Sequence, residues 1–218
     1  MIKLVIFDLD GTLLYTLEDL ADSCNYLLRK HQLPEHPLDS FRYFVGNGIK
    51  KLVERALPEE KRSEAFVESF FQEMIAYYDL HKEDKTRPYP QIVETLEALQ
   101  QRGIMLGVAS NKVNQAMAPL MAHYFPSIRF TSVLGQREGI PIKPDPQIVF
   151  DIMETASVSP EETLYVGDTG VDMDTAHGAL VKAVGVLWGF RDRKELEGHQ
   201  AEFIISQPEE LLGLVATK

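Results

Sequence analysis

The chain of 218 residues is short of cysteine, of long apolar runs and of positive charge. Its single cysteine, Cys24, allows no internal disulfide, which is typical of proteins in the reducing cytoplasm. No apolar run approaches the roughly 20 residues that span a bilayer, and the apolar stretch at residues 2–7 is too short for a signal peptide. We therefore expect a cytoplasmic protein without a membrane partner.

The charge balance limits the partners that the protein can have. Acidic side chains outnumber basic ones, 33 against 22, which gives a formal net charge of -11. Such a charge disfavours nucleic acid as a partner. It does not exclude a small anionic substrate, because screening over about 8–10 Å leaves local lysines in control inside a pocket.

Four short apolar runs, each ending in small or polar residues, alternate with helical patterns. The runs cover residues 3–8, 104–110, 163–168 and 183–187. The helical patterns cover residues 92–99, with Gly103 as the expected stop, and residues 146–156 and 171–180. Strands that alternate with helices predict an α/β fold built on a doubly wound parallel sheet.

The stretch from Thr16 to about Lys85 contains only helical patterns. Thr16 and Asp19 form a capping-box-like start, and apolar stripes follow within residues 17–28 and 66–78. An all-helical insert directly after the first strand predicts a small helical cap domain above the carboxyl end of that strand. We expect a core of residues 1–14 and 87–218 and a cap of residues 15–86.

Polar residues follow the predicted strands where a doubly wound fold binds its ligands. They are Asp8 and Asp10 after the first run, Ser110 and Asn111 after the second, Asp168 and Asp172 after the third, and Lys143 before a helix. So many carboxylates in one cleft would repel one another, and a hard divalent cation relieves the repulsion. Ligands that offer only oxygen favour Mg²⁺ over zinc.

These residue types suit phosphoryl transfer. An ionised aspartate such as Asp8 needs no base before it attacks phosphorus, and an aspartyl phosphate then divides one hard step into two. A second acid two residues on, Asp10, can protonate the leaving oxygen and later deprotonate water. Ser110 and Asn111 suit hydrogen bonds to the phosphoryl oxygens, and Lys143 offsets their charge.

The same residues carry a resemblance to the haloacid dehalogenase superfamily. Its four motifs are matched in order by Asp8-Leu9-Asp10-Gly11-Thr12-Leu13, Ser110-Asn111-Lys112, Lys143-Pro144-Asp145 and Gly167-Asp168-Thr169-Gly170-Val171-Asp172. The match covers the whole chain. An acid at position 10 makes the chain similar to the phosphotransferases of that superfamily rather than to its dehalogenases.

The resemblance implies a role for each residue. Asp8 is the nucleophile, Asp10 the general acid/base and Lys143 the third catalytic residue. Substrate binding falls to Thr12, Ser110, Asn111 and Lys143. Mg²⁺ is held by Asp8, the backbone carbonyl of Asp10 and Asp168, with Asp172 supporting them. The helical insert corresponds to a mobile cap that closes over the site.

A narrower resemblance concerns the substrate. Phe44-Val45-Gly46-Asn47-Gly48-Ile49 and Val186-Leu187-Trp188-Gly189-Phe190-Arg191 resemble the phosphoglycolate phosphatases, which implies 2-phosphoglycolate as the leading substrate. Gly46-Asn47-Gly48 would present backbone N–H groups to a small carboxylate, or form only a turn. A β-phosphoglucomutase-like enzyme, a pyrophosphatase and a phosphonatase using Lys50 or Lys51 are alternatives. A phosphoacceptor module, similar to a response regulator, is the alternative outside enzymes.

Three residues depart from the family pattern. Tyr15 stands where an acid is common, and Gln91 and Leu180 stand where glycine is common. None lies in the four motifs, so the departures bear on cap motion and substrate preference. The expected partner is a small phosphorylated metabolite, and the chain is expected to be a monomer or a homodimer.

Overall fold

The chain divides into two compact units, Met1–Leu14 with Pro88–Lys218 and Tyr15–Arg87. The computed structural model describes residues 1–216. The strands are β1 (Leu4–Phe7), β2 (Leu14–Tyr15), β3 (Arg87–Pro88), β4 (Met105–Val113), β5 (Ser132–Gln136), β6 (Thr163–Gly167), β7 (Lys182–Val186) and β8 (Phe203–Ile205). Six of them form one sheet in the order β5-β4-β1-β6-β7-β8, and β2 pairs with β3. All neighbours in the large sheet run parallel, which confirms the predicted fold class.

Both units also contain α-helices. They are α1 (Leu17–Lys30), α2 (Leu38–Phe44), α3 (Ile49–Ala56), α4 (Glu64–His81), α5 (Ile92–Gln101), α6 (Asn114–Tyr124), α7 (Gln147–Ala156), α8 (Gly170–Gly178), α9 (Arg193–Gly198) and α10 (Leu211–Leu214). Short 3-10 turns lie at Glu59–Lys61, Pro160–Glu162 and Pro208–Glu210. Among the residues that the structure describes, no helix is long and apolar enough to cross a membrane.

The central strand β1 is buried on both of its faces. Leu4 and Ile6 pack in the apolar cluster that includes α7 and α8, whereas Val5 and Phe7 pack in the cluster that includes α5 and α6. All four side chains are fully buried. Because successive side chains of a strand point to opposite faces, an unbroken apolar run is the sequence of a strand covered by helices on both sides.

The register of the sheet gathers the strand ends that carry the motifs. Phe7 is paired with Val108 of β4 and with Val166 of β6, and the backbone N–H of Asp8 donates to the Val166 carbonyl at 2.9 Å. Chain order reverses at β1, which places a crevice at its carboxyl end. Residues that follow β1 and β6 therefore lie side by side although they are far apart in sequence.

The smaller unit begins with α1, and its first turn differs from the prediction. The capping box expected at Thr16 and Asp19 is wrong, because no side chain caps the start of α1. The Asp19 carboxylate instead accepts hydrogen bonds from the backbone N–H groups of Lys85 and Thr86 and from the Thr86 hydroxyl, the last at 2.8 Å. These partners lie more than 60 residues along the chain, so a local pattern could not reveal them.

Two of the three departures from the family pattern occupy left-handed backbone conformations. Gln91, before α5, has φ 63° and Leu180, after α8, has φ 60°. Leu180 is the left-handed residue of a Schellman motif, in which its N–H donates to His177 and the N–H of Val181 donates to Ala176. Glycine is favoured there because a Cβ atom is strained at positive φ.

We expect Leu180→Gly to stabilise the protein by about 0.5–1 kcal/mol, since relief of the left-handed strain exceeds the entropy that glycine adds to the unfolded chain. Leu80→Gly is a matched control, because Leu80 is equally exposed (79% against 81%) but lies inside α4. Leu80 is the last residue but one of α4, so glycine relieves no left-handed strain there and should cost up to about 1 kcal/mol. Thermal denaturation should show a higher melting temperature for Leu180→Gly and a lower one for Leu80→Gly than for the unchanged protein. A lowered melting temperature in Leu180→Gly would contradict the assignment of strain to Leu180.

Candidate active site

The Lys143 side chain lies at the centre of a buried polar cluster. Its Nζ is 2.8 Å from Asp8 Oδ1, 2.7 Å from Asp172 Oδ1 and 3.0 Å from the Tyr165 hydroxyl. Burial alone would lower the pKa of Lys143, but the Asp172 and Asp8 carboxylates outweigh it and hold that pKa well above its ordinary value. Lys143 is therefore an ammonium, and its three donors are all engaged.

Asn111 and Ser110 support the backbone around this cluster. The Asn111 amide brackets Lys143, accepting from its N–H at 2.9 Å and donating to its carbonyl at 3.2 Å. The Ser110 Oγ accepts from the N–H of Lys112 at 3.1 Å. Both side chains are buried at the end of β4. The structure thus gives Asn111 a direct part in fixing Lys143, while the phosphoryl contact suggested by the sequence stays a prediction.

Asp172 joins the cluster from the first turn of α8. Its Oδ2 accepts from the backbone N–H and the hydroxyl of Thr169, at 3.1 and 2.7 Å, which forms a capping box. Its Oδ1 accepts from Lys143. With both oxygens engaged, Asp172 caps a helix and supports the cluster at the same time.

Three buried carboxylates, those of Asp8, Asp168 and Asp172, lie close enough to share a metal ion. One oxygen of each lies within 4.8 Å of the others. Burial, together with the neighbouring Asp172 and Asp168 carboxylates, raises the pKa of Asp8 well above its usual range despite Lys143. Burial and Asp172 also raise the pKa of Asp168 to about 7. A bound cation would offset the cost of keeping these buried carboxylates charged side by side. Because an all-oxygen ligand set suits a hard divalent ion, these residues fit the metal that the family resemblance implies.

The Asp168 carboxylate is held from two sides. Its Oδ1 accepts from the Thr12 hydroxyl at 3.1 Å, and its Oδ2 accepts from the backbone N–H of Phe190 at 2.7 Å. The charge of Arg191 acts against the rise in the pKa of Asp168. Thr12 is fully buried, and its hydroxyl helps to fix the Asp168 carboxylate; the substrate contact expected of Thr12 stays a prediction.

Two glycines make room for Asp168. A Cβ on Gly189 would lie 2.2 Å from the Asp168 Cβ and 2.5 Å from the Gly11 carbonyl oxygen. A Cβ on Gly11 would lie 2.4 Å from Asp168 Oδ2. Next to Gly189, the indole N–H of Trp188 donates to the Thr12 carbonyl at 3.0 Å. The turn after β7 and the turn after β1 therefore enclose the Asp168 side chain between them.

Asp10 has a different lysine as its partner. The Lys112 Nζ lies 3.0 Å from Asp10 Oδ1, with the Lys112 side chain only 4% exposed. The Asp10 side chain is therefore directed to Lys112, and its part in a metal site would fall to the backbone carbonyl, as the family resemblance implies.

Sequence reasoning missed three residues that contribute to the site. They are Lys112, Tyr165 and Trp188. Lys112 and Trp188 occur within matched segments, but nothing in a segment indicates the partner of a side chain. Tyr165 left a weak signal, a hydroxyl inside an otherwise apolar strand. Burial raises the pKa of Tyr165 well above its ordinary value, so the phenol stays protonated and donates to the Ala109 carbonyl.

The candidate residues of the smaller unit are engaged within that unit. Lys50 pairs with Glu68 at 2.6 Å and Lys51 with Glu54 at 2.5 Å. The loop Gly46-Asn47-Gly48 has positive φ at both glycines and precedes α3. The Asn47 side chain accepts from the Arg55 guanidinium at 2.8 Å, which fixes the loop to that helix.

Comparisons with known proteins agree with the fold and show the family. The model of the haloacid dehalogenase-like hydrolases matches residues 5–186. A phosphoglycolate phosphatase of Agrobacterium fabrum is 34% identical over 87% of this chain and 82% of its own length. One of Haemophilus influenzae (strain Rd) is 30% identical over 98% of both chains. A crystal structure from Haemophilus somnus, described as a predicted phosphoglycolate phosphatase, has a TM-score of 0.90 at 29% identity and covers 99% of this chain and 98% of that one.

We expect Gly189→Ala to destabilise the protein by about 1–3 kcal/mol, because the new methyl group meets backbone and Cβ atoms that cannot turn aside. Gly198→Ala is the matched control, since Gly198 ends α9 with open space around its Cα. That variant should melt at the temperature of the unchanged protein or slightly above it. Equal melting temperatures for the two variants would show that the turn after β7 adapts freely around Asp168.

Proposed function

We propose that this chain, which belongs to the haloacid dehalogenase-like hydrolase family, is a Mg²⁺-dependent phosphatase acting on 2-phosphoglycolate through an aspartyl-phosphate intermediate. The family match and the relatives make the chain a phosphoric monoester hydrolase. The metal, the intermediate and the substrate are our inference. The observation that carries it is the position of the buried Asp8 carboxylate, which is paired with the Lys143 ammonium and lies beside the carboxylates of Asp168 and Asp172.

Asp8 acts as the nucleophile. One of its oxygens accepts from Lys143, which orients the carboxylate and offsets the charge of the approaching phosphate. The other attacks phosphorus, a bond forms between that oxygen and phosphorus, and the ester bond to the leaving oxygen breaks. Water then attacks the same phosphorus, which releases inorganic phosphate and restores the Asp8 carboxylate.

Asp10 supplies and recovers the proton. In the first step its carboxyl group donates a proton to the leaving alkoxide, which departs as an alcohol. In the second step the resulting Asp10 carboxylate takes a proton from the attacking water. The cycle thus closes without any further acid or base, and the products are glycolate and phosphate when the substrate is 2-phosphoglycolate.

Asp8, Asp168 and the Asp10 backbone carbonyl would hold the metal, with Asp172 in support. When bound, Mg²⁺ would offset the charge of the carboxylates and of the phosphoryl oxygens. Asp172 is the poorer direct ligand, because Lys143 and Thr169 already occupy its oxygens.

The choice of 2-phosphoglycolate is supported by the relatives, which are named for that activity, and by the Phe44–Ile49 and Val186–Arg191 segments. A phosphonatase would need an uncharged lysine to form a Schiff base. The Glu68 carboxylate raises the pKa of Lys50 instead, which keeps that amine protonated. No observation favours a pyrophosphatase or a β-phosphoglucomutase-like activity over the phosphatase.

A steady-state screen tests the substrate. We expect the kcat/KM for 2-phosphoglycolate to exceed those for pyrophosphate, β-glucose 1-phosphate and phosphonoacetaldehyde by at least about tenfold, a difference of about 1.4 kcal/mol in transition-state binding. Phosphate release measures the hydrolysis of 2-phosphoglycolate and pyrophosphate, glucose 6-phosphate formation together with phosphate release measures the reaction of β-glucose 1-phosphate, and acetaldehyde formation measures the reaction of phosphonoacetaldehyde. A higher value for any competitor would replace 2-phosphoglycolate while leaving the phosphatase chemistry in place.

Asp8→Asn should lower kcat at least about a thousandfold, because the amide cannot attack phosphorus. Phosphate release from 2-phosphoglycolate and from p-nitrophenyl phosphate measures the loss. Asp39→Asn is the control for the same chemical change, since its side chain is 92% exposed in the first turn of α2. That control should keep full activity. Retained turnover in Asp8→Asn with an unchanged melting temperature would refute the assignment of Asp8 as the nucleophile.

Removal of the metal should abolish activity, and Mg²⁺ but not Ca²⁺ should restore it, because the smaller ion suits few ligands at short distances. Asp168→Asn should weaken Mg²⁺ binding by about 10–100-fold. The fluorescence of Trp188, the single tryptophan, follows binding independently of turnover. Asp174→Asn, an exposed position on α8, is the control. Equal Mg²⁺ affinity in both variants would exclude Asp168 as a ligand.

A further inference from the structure

Lys112 is a buried lysine that the catalytic cycle above does not use. It is the last but one residue of β4, its side chain is 4% exposed, and its Nζ lies 3.0 Å from Asp10 Oδ1. An ammonium at such a position is stable only with a close anionic partner. The pair joins residues 102 positions apart, so the fold brings it together rather than the local sequence.

The backbone around Lys112 departs from regular strand geometry. The register between β4 and β5 shifts between Ala109 and Val113, which is the segment that contains Lys112. The Lys112 N–H donates to Ser110 Oγ, and the Lys112 carbonyl approaches Gly135 so closely that a Cβ there would lie 2.4 Å from it. Such irregularities redirect side chains beside active sites. The shift gives β4 a way to direct an ammonium at Asp10.

The other lysine of the site cannot serve Asp10. All three donors of the Lys143 ammonium are engaged, by Asp8, Asp172 and Tyr165. The two catalytic aspartates are only two residues apart, yet each has an ammonium of its own. Lys112 is therefore the group that fixes the side-chain position of Asp10.

We propose that Lys112 is a positioning residue for the acid/base step. By holding Oδ1 of Asp10, it keeps the second carboxyl oxygen at the place where the proton passes to the leaving alkoxide and returns from water. The inference rests on the proposed function, in which Asp10 performs that step. A displacement of about 1 Å in a catalytic group can cost a hundredfold in rate, so a positioning contact has a measurable kinetic effect.

The leaving group provides the test. An alkoxide must be protonated as it departs, whereas p-nitrophenolate is stable without a proton, so only the first depends strongly on a general acid. We expect Lys112→Met to lower kcat/KM for 2-phosphoglycolate at least about tenfold more than for p-nitrophenyl phosphate, and Lys112→Arg to recover part of the loss. Lys30→Met, which removes an exposed lysine paired with Glu73, should change neither value.

A double-mutant cycle separates positioning from the other roles that Lys112 could have. If Lys112 acts through Asp10, Lys112→Met should have less than about a twofold effect in the Asp10→Asn background. An equal loss for both substrates that persists in this background would overturn the proposal in favour of a direct phosphoryl contact or of a general loss of structure. Unchanged kinetics in Lys112→Met would overturn it as well.

Crystal structures of the unchanged protein and of Lys112→Met give a result that does not depend on turnover. The Asp10 side chain should adopt another rotamer in the variant, while the contacts of Asp8 with Lys143 stay the same. An unmoved Asp10 carboxylate would overturn the proposal. Failure of the unchanged protein to hydrolyse any of the esters would instead contradict the proposed function, and the crystal structures would still decide whether Lys112 positions Asp10.

Discussion

The pairing of one buried ammonium with several buried carboxylates is the constraint on which the site depends. Lys143 lies between Asp8 and Asp172, and its charge offsets part of the cost of burying these two carboxylates. Other contacts exist to keep this ammonium in place, among them the Asn111 amide on its backbone and the Tyr165 hydroxyl. Because Lys143 offsets a single charge, the cluster retains an excess of negative charge, and that excess makes the site receptive to a divalent cation.

The sheet is arranged so that this pairing can occur. Residues 8 and 168 follow β1 and β6, which are neighbouring strands. Their side chains therefore lie together at one edge of the sheet although they are far apart in sequence. The turn after β7 completes the enclosure, since Gly189 lies against Asp168 and the N–H of Phe190 binds its carboxylate. The fold thus contributes orientation, and the burial that it imposes gives the carboxylates their altered pKa values.

Sequence reasoning succeeded where one residue type fits only one environment. The short apolar run of β1 is typical of a strand buried on both faces, and several acids at the ends of such strands favour a bound cation. It failed where several partners competed for a side chain. Asp19 could cap α1 but binds Lys85 and Thr86 instead, and no local pattern indicates that the hydroxyl of Thr12 donates to Asp168. Such choices are settled by contacts formed across the chain, which no local pattern contains.

The division of labour between two lysines has a mechanistic consequence. In the proposed mechanism Asp8 is the nucleophile and Asp10, which is separated from it only by Leu9, is the proton donor, so a single ammonium between them would couple the two roles. Lys143 comes from the segment before α7 and Lys112 from the end of β4, so each carboxylate is fixed by a different element. The attack on phosphorus and the protonation of the leaving group can then be adjusted separately. For the proposed phosphatase, such a separation would let the demand of the leaving group for a proton change while the nucleophilic step stays the same.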